Sequence, residues 1–167
     1  TGAIGRAIAW NIARVPGYTV VMLIRNREKA INVTRQIKEK SDNEDIYFYI
    51  IDLANKTEID ALADLYNGPL HVLVNNASTT PRSRQENSEG IEIQWATNVL
   101  AYYYMMKAFT PHLKASAPSR IVNVASYWAG GLDLHDPEFK LRPYHNDAAY
   151  RQSKQAERML STAFAQK

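Results

Sequence analysis

The segment Ile121-Val122-Asn123-Val124-Ala125-Ser126 decides how the rest of the sequence is interpreted. Its β-branched residues favour a strand, and a nearly all-apolar strand is typical of a parallel sheet covered by helices. A serine follows the apolar run directly. Because ligands of such sheets bind beyond the carboxyl ends of the strands, Ser126 is predicted to lie at a binding site.

The same alternation of short apolar runs and longer amphipathic stretches extends through the whole chain. Apolar periodicity predicts strands over 18–24, 46–51, 71–74 and 120–124, and helices over 5–15, 27–40, 56–66, 91–115 and 148–166. This order predicts an α/β fold, a doubly wound parallel sheet with helices on both faces. A length of 167 residues fits one domain, 1–167.

Composition excludes several classes of function. The chain has no cysteine, which removes disulfides and thiolate nucleophiles, and its four histidines show no metal-ligand spacing. Basic residues are scattered and the net charge is only +3, whereas nucleic-acid-binding proteins usually concentrate basic residues on one face. No apolar run reaches the roughly 20 residues that span a membrane. We therefore expect no metal, no nucleic-acid partner and no membrane span.

Polar or small residues stand next to several predicted strands and helices. Gly2-Ala3-Ile4-Gly5 precedes the first predicted helix, where glycines let a phosphate approach the helix N-terminus. A glycine pair before a helix is also often only a turn. The residues that follow the apolar runs are Arg25-Asn26, Asp52-Leu53 and Asn75-Asn76-Ala77. Asx residues also favour turns and caps, so their shared position at strand ends is more informative than any one of them.

Tyr150 and Lys154 are four residues apart and are predicted to share one face of the last helix. A phenol with an ordinary pKa near 10 is a poor base, but a nearby ammonium stabilises the phenolate form. Such a pair can exchange a proton with an alcohol oxygen. Tyr103 and Lys107 have the same spacing, but they lie among Tyr102, Tyr104 and two methionines, which look like packing residues, and we predict that they are only a surface pair.

Taken in order, these residues resemble the short-chain dehydrogenase/reductase family over essentially the whole chain. Asn75-Asn76-Ala77 is similar to its Asn-Asn-Ala-Gly motif, with Ser78 in place of the glycine, and Asp52-Leu53 matches its adenine-contacting pair. Asn98, Ser126, Tyr150 and Lys154 match the four catalytic positions. The longer gap between Ser126 and Tyr150 is similar to that of the retinol-dehydrogenase-like branch.

The resemblance implies a Rossmann-like fold, truncated here at both ends, because the family has a strand before the glycine-rich turn and further strands after the Tyr/Lys helix. It implies hydride transfer between a nicotinamide cofactor and an alcohol or carbonyl carbon. Tyr150 is then the general acid/base, Lys154 lowers its pKa and holds the nicotinamide ribose, Ser126 donates to the substrate oxygen, and Asn98 organises a water relay to Lys154. The cofactor is expected to contact Gly2, Ile4, Gly5, Arg25, Asn26, Asp52, Leu53, Asn75, Ala77, Tyr150 and Lys154.

Arg25 favours NADP(H) over NAD(H), because a guanidinium at this strand end suits a ribose 2′-phosphate whereas a carboxylate would suit a free 2′-hydroxyl. A plain surface arginine remains the alternative. We expect a lipophilic small-molecule substrate, a cytoplasmic location with targeting undecided, and a partly mobile cover over residues 127–149. Two rival functions stay open: a non-enzymatic NAD(P)-binding protein of this fold, and an epimerase or dehydratase that reuses the Tyr/Lys pair. A homo-oligomer also stays open.

Overall fold

A computed structural model describes residues 2–166. They form two compact units, the first ending at Asp52 and the second beginning at Leu53. Both units contain parallel strands joined through helices, as parallel pairing requires. The assignment of the whole chain to one domain stays a prediction.

The first unit contains two strands and two helices. These are α1 (Ala3–Ala13), β1 (Val20–Ile24), α2 (Arg27–Ser41) and β2 (Ile46–Ile50). β1 pairs in parallel with β2, and the register places Val20 opposite Ile46. Apolar residues from all four elements form the buried core of this unit: Ala9, Ala13, Val20, Val33, Ile37 and Ile46.

The second unit holds the Ser126, Tyr150 and Lys154 positions. Its elements are α3 (Lys56–Leu65), β3 (Val72–Asn75), α4 (Ile93–Trp95), a π-helical segment (Ala96–Leu100), α5 (Ala101–Ala115), β4 (Arg120–Asn123) and α6 (Asn146–Ala165). β3 pairs in parallel with β4, with Asn75 opposite Asn123. The long apolar face of α5 is buried through Tyr102, Met105, Met106, Phe109 and Leu113.

Every predicted strand and helix is present, and the largest differences are at their ends. The first helix begins at Ala3 rather than at residue 5, because Gly2 is its extended N-cap and its carbonyl already accepts the Arg6 N–H at 3.0 Å. Ile4 and Gly5 therefore lie inside α1 and not in a turn before it. The first strand begins at Val20 rather than at residue 18, because Gly17 turns the chain at φ +81°.

The helix predicted over 91–115 is not one uniform α-helix. It begins at Ile93, because the carboxylate of Glu92 caps it by accepting the N–H groups of Gln94 at 2.9 Å and Trp95 at 2.8 Å. The π-helical segment then interrupts it and contains Asn98. Such segments are rare and frequently occur at functional sites. In the described part of the chain, no helix is long and apolar enough to cross a membrane.

The packing of α3 makes a direct test of this fold. Ile59 is 0% exposed, whereas Leu65 on the same helix is 69% exposed. We expect Ile59→Ala to lower the free energy of unfolding by about 2–5 kcal/mol, because it removes buried methyl groups and leaves a cavity. Leu65→Ala should change it by less than about 0.5 kcal/mol. Urea unfolding of both variants of the whole protein measures this, and equal losses would contradict the burial of α3.

Candidate active site

α6 presents Tyr150 and Lys154 on one face, as their spacing predicted. The Lys154 Nζ lies 6.0 Å from the centroid of the Tyr150 ring. Lys154 is buried, whereas Tyr150 is half-buried. The helix begins after His145, whose Nδ1 accepts the Ala148 N–H at 3.4 Å. α6 therefore carries its charged group inward and its phenol nearer to solvent.

Two groups from different elements hold the Lys154 ammonium. Nζ donates to the carbonyl of Val124, just after β4, at 3.0 Å and to the carboxylate of Glu157 at 2.6 Å. It also lies 5.3 Å from the centroid of the buried Tyr102 ring, within the range of a cation–π interaction. An ammonium has three donors, so one remains for a further partner. The end of β4 and α6 are thus joined through Lys154.

Glu157 is a functional candidate that the sequence interpretation missed. Its side chain is 0% exposed and that of Lys154 only 3%. Burial raises the pKa of Glu157 from an ordinary 4.5 to about 7, and the hydrogen bond and charge of Lys154 oppose that rise. Burial, followed by the charge of Glu157, also raises the pKa of Tyr102. The Lys-x-x-Glu spacing after Tyr150 was the signal that could have found it.

Ser126 lies at the carboxyl end of the β4 segment, where the sequence placed it. It is half-buried, and its Oγ accepts the Trp128 N–H at 3.1 Å. Its carbonyl accepts the Ala129 N–H at 3.3 Å. A hydroxyl that accepts one hydrogen bond still has its own proton to donate. Ser126 is therefore held by its own turn and can donate to a bound oxygen.

Asn98 is fully buried, and its amide is engaged with two parts of the second unit. Oδ1 accepts the Thr79 N–H at 2.9 Å, and Nδ2 donates to the Thr79 carbonyl and to the Ser153 Oγ, both at 3.1 Å. Ser153 in turn donates to the Tyr150 carbonyl at 2.8 Å. Asn98 thus fastens the segment after β3 to α6. Both amide hydrogens of Asn98 are thus bonded to Thr79 and Ser153. The water relay to Lys154 stays a prediction.

Asn75 was predicted to contact the cofactor, but its side chain joins the two strands of the second unit. Its Nδ2 donates to the Asn123 Oδ1 at 2.8 Å, and the Asn123 Nδ2 donates to the Ser161 Oγ at 2.8 Å. Asn75 is buried. This polar ladder holds β3, β4 and α6 together. Ala77 follows it in the segment that Asn98 fastens at Thr79.

The cofactor positions of the first unit lie at the N-terminus of α1 and at the strand ends. Gly2 has no side-chain cap among the described residues, and the first turn of α1 has no acidic residue. Arg25 follows β1 and is exposed. Asn26 caps α2, since its Oδ1 accepts the Lys29 N–H at 2.9 Å. Its side chain therefore has a structural use. The half-buried Asp52 follows β2 and precedes Leu53.

The middle of the segment 127–149, which was predicted to be a mobile cover, is held by hydrogen bonds within the segment and to α6. The buried Asp136 accepts the N–H groups of Lys140 at 2.7 Å and Leu141 at 3.1 Å. Arg142 lies 4.2 Å from the centroid of the buried Phe139 ring and donates to the Gln152 Oε1 of α6 at 2.8 Å. These contacts favour an ordered segment, and its mobility stays a prediction.

Lys107 is exposed, as predicted for a surface pair, whereas Tyr103 is half-buried and packs against other aromatic rings. The Tyr103 ring packs against those of Tyr104 at 5.6 Å and Phe164 at 6.2 Å between centroids, and Lys107 is exposed. The two Tyr-x-x-x-Lys pairs thus have the same spacing but different surroundings, since Lys154 is buried and Lys107 is exposed. The Tyr103/Lys107 pair supplies an internal control for experiments on Tyr150.

Comparison with known proteins gives one family. The sequence profile described as short chain dehydrogenase matches residues 1–167. Human dehydrogenase/reductase SDR family member 12 is 29% identical over 98% of this chain and 52% of its own length. Human retinol dehydrogenase 13 is 32% identical and mouse polyprenol dehydrogenase 31%, each over 93% of this chain and 49% of its own length. The chain thus spans about half the length of these curated relatives.

Solved structures agree with this result. A metagenomic short-chain oxidoreductase in complex with NADP is 27% identical, with a TM-score of 0.72 over 98% of this chain and 70% of its own. An NAD+-bound xylitol dehydrogenase is 26% identical, with a TM-score of 0.75 over 99% of this chain and 60% of its own. The fold is therefore the Rossmann-like α/β fold that the sequence predicted.

The raised pKa of Glu157 predicts a pH-dependent stability. Because its pKa is 4.5 when unfolded and about 7 when folded, folding takes up a proton between these values. The free energy of unfolding should therefore fall as pH rises from about 4.5 to about 7. Glu157→Gln should lack this decline. Urea unfolding of both proteins between pH 4.5 and 8 measures it, and parallel curves would rule out the shift.

Proposed function

Because the chain belongs to the short-chain dehydrogenase family and to its retinol-dehydrogenase-like branch, we propose that it carries the catalytic residues of an NAD(P)-dependent alcohol dehydrogenase or carbonyl reductase. The observation that carries this proposal is the pairing of Tyr150 with a buried ammonium, Lys154, one turn later on α6. Burying a charge is costly, so a lysine in that position needs a reason beyond packing.

Three residues of the second unit have separate roles in the proposed reaction. In alcohol oxidation, the substrate hydroxyl gives its proton to the Tyr150 phenolate; in carbonyl reduction, the Tyr150 hydroxyl returns it. The Lys154 ammonium, 6.0 Å from the centroid of the Tyr150 ring, is the nearby opposite charge that favours the phenolate. Ser126 donates a hydrogen bond to the substrate oxygen and so stabilises the charge that develops there. The nicotinamide, when bound, supplies or accepts the hydride.

Each unit, taken by itself, has residues that suit one part of a dinucleotide. Among the described residues, Gly2 makes no side-chain cap hydrogen bond and the first turn of α1 has no acidic residue. A helix N-terminus of this kind suits a phosphate. The remaining ammonium donor of Lys154 is suited to a ribose hydroxyl. Within the first unit Gly2 is our candidate for a phosphate contact, and within the second unit Lys154 is our candidate for a ribose contact. Ile4, Gly5, Asp52, Leu53 and Ala77 remain further candidates for cofactor contacts, as do the backbones of Asn26 and Asn75.

A lipophilic alcohol is the substrate class that we propose. Two relatives are named for retinol and polyprenol, which supports this choice. The segment that follows Ser126 also exposes large apolar side chains, with Tyr127 at 98% and Leu141 at 84% exposure. Such side chains offer a surface to an apolar ligand. A cytoplasmic location and a homo-oligomer stay predictions.

Removal of the Tyr150 hydroxyl tests the acid/base assignment. In the whole protein, Tyr150→Phe should lower kcat by about 10²–10⁴-fold, because a positioned acid/base contributes that much. The Kd for the cofactor should stay within about twofold of wild type, because the ring and its packing are retained and only the hydroxyl is lost. Steady-state kinetics and cofactor titration measure both quantities. Tyr103→Phe is the matched control and should be fully active; an inactive Tyr103→Phe beside an active Tyr150→Phe would reverse the assignment.

Arg25 tests the preference for NADP(H). We expect the wild type to bind NADP(H) more tightly, because an exposed guanidinium can pair with the 2′-phosphate. Arg25→Ala should weaken NADP(H) binding by roughly 10–150-fold and leave NAD(H) binding nearly unchanged. Calorimetric Kd values for both cofactors measure this. Arg35→Ala, which removes an exposed charge from α2, is the control, and an unchanged cofactor preference in Arg25→Ala would dismiss Arg25.

A further inference from the structure

The second unit buries a carboxylate beside the proposed acid/base pair that the mechanism above does not use. Glu157 lies three residues after Lys154 on α6, and its Oε2 accepts from the Lys154 Nζ at 2.6 Å. Its other oxygen, Oε1, is buried and has no hydrogen-bond partner among the described residues. An unsatisfied buried carboxylate oxygen costs free energy. Packing alone would be better served by an apolar side chain.

The buried ion pair is a poor choice for stability. Replacing such a pair with well-packed apolar residues is often neutral or stabilising, since desolvation can exceed the attraction between the charges. Lys154 has a proposed reason to be charged, because it stabilises the Tyr150 phenolate. The mechanism gives Glu157 no such reason to be charged. Its role must therefore lie in its effect on Lys154.

We propose that Glu157 is a positioning residue that holds the Lys154 ammonium against the end of β4 and partly cancels its charge, so that the buried Lys154 and Glu157 together set how readily Tyr150 takes a proton. The role rests on the proposed function, in which Tyr150 is the acid/base. An ionised carboxylate opposes the phenolate, whereas the ammonium favours it. The balance between the two then depends on the charge state of Glu157.

The surroundings of Glu157 are consistent with a charge that changes near neutral pH. Its pKa is raised to about 7 by burial, against the influence of Lys154. The groups that interact with it electrostatically are Lys154 on its own helix and the neutral phenol of Tyr102 on α5. Tyr150 acts on Tyr102 in the same cluster. β4 contributes the Val124 carbonyl that follows it and the neutral Asn123, which bonds to Ser161 instead.

A charge-removing variant separates this role from a merely structural one. Glu157→Gln keeps an oxygen that can accept from Lys154, but it removes the negative charge. If Glu157 only held Lys154 in place, the acid/base behaviour of Tyr150 would not move. If Glu157 also cancels charge, the acid limb of the pH–rate profile for alcohol oxidation should move to lower pH by roughly one unit. Glu157→Asp shortens the side chain by one methylene and so draws the carboxylate away from Lys154. This variant should move the acid limb in the same direction, but by less.

The deciding measurement does not need turnover. Tyrosine labelled with 13C at Cζ is titrated by NMR in the whole protein, and the Tyr150 signal is identified by its loss in Tyr150→Phe. We expect its titration midpoint to move to lower pH in Glu157→Gln and by less in Glu157→Asp, while Glu89→Gln, at an exposed position of the second unit, leaves it unchanged.

Identical Tyr150 midpoints in the wild type and in Glu157→Gln would overturn the role assigned to Glu157. Should Glu157→Gln not fold, an unchanged midpoint in Glu157→Asp would overturn it equally. Absence of any NAD(P)-linked turnover in the wild type would instead reject the proposed dehydrogenase function. The NMR midpoints would then still decide whether Glu157 opposes the Tyr150 phenolate.

Discussion

A buried ammonium ion imposes the strongest constraint on the second unit. The effective cost of taking such a charge out of water is several kcal/mol, unless hydrogen-bond acceptors and an opposite charge surround it. The acceptors here come from the Val124 carbonyl beyond β4 and from the Glu157 carboxylate of α6. These hydrogen bonds of the Lys154 ammonium therefore fix the end of β4 relative to α6. Tyr150, one turn earlier, and Ser126, two residues after Val124, are both placed by that junction.

A second polar anchor holds α6 through Ser153, the residue next to Lys154. Asn98 lies in the π-helical segment and binds both the N–H and the carbonyl of Thr79, while its remaining hydrogen goes to Ser153 beside Lys154. Buried polar networks of this kind are favourable only when their members are satisfied, and they then make an arrangement specific. Asn98 thus acts as a positioning residue in this structure, because it aligns the segment after β3 with the helix that carries Tyr150 and Lys154.

The order of the elements could be predicted because local apolar periodicity decides it. Strands such as Val20–Ile24 and helices such as Arg27–Ser41 differ clearly in that pattern. The π-helical segment could not be predicted, because one widened turn barely disturbs the periodicity. The partners of Asn98 and Asn75 could not be predicted either, because they are distant along the chain. Those of Asn98 lie 19 and 55 residues away, and that of Asn75 lies 48 residues away. Glu157 was within reach, because its spacing from Lys154 is local.

In the function that we propose, hydride passes directly between a nicotinamide and a carbon that bears oxygen, beside Tyr150. The most direct test of this transfer is isotopic. The whole protein is incubated with an aldehyde such as retinal and with NADPH that carries deuterium in the transferable position at C4, in ordinary water. We predict one deuterium on the carbinol carbon of the product and an ordinary proton on its oxygen. A product whose carbinol hydrogen comes from solvent, or cofactor that is never oxidised while the substrate is converted, would contradict the account.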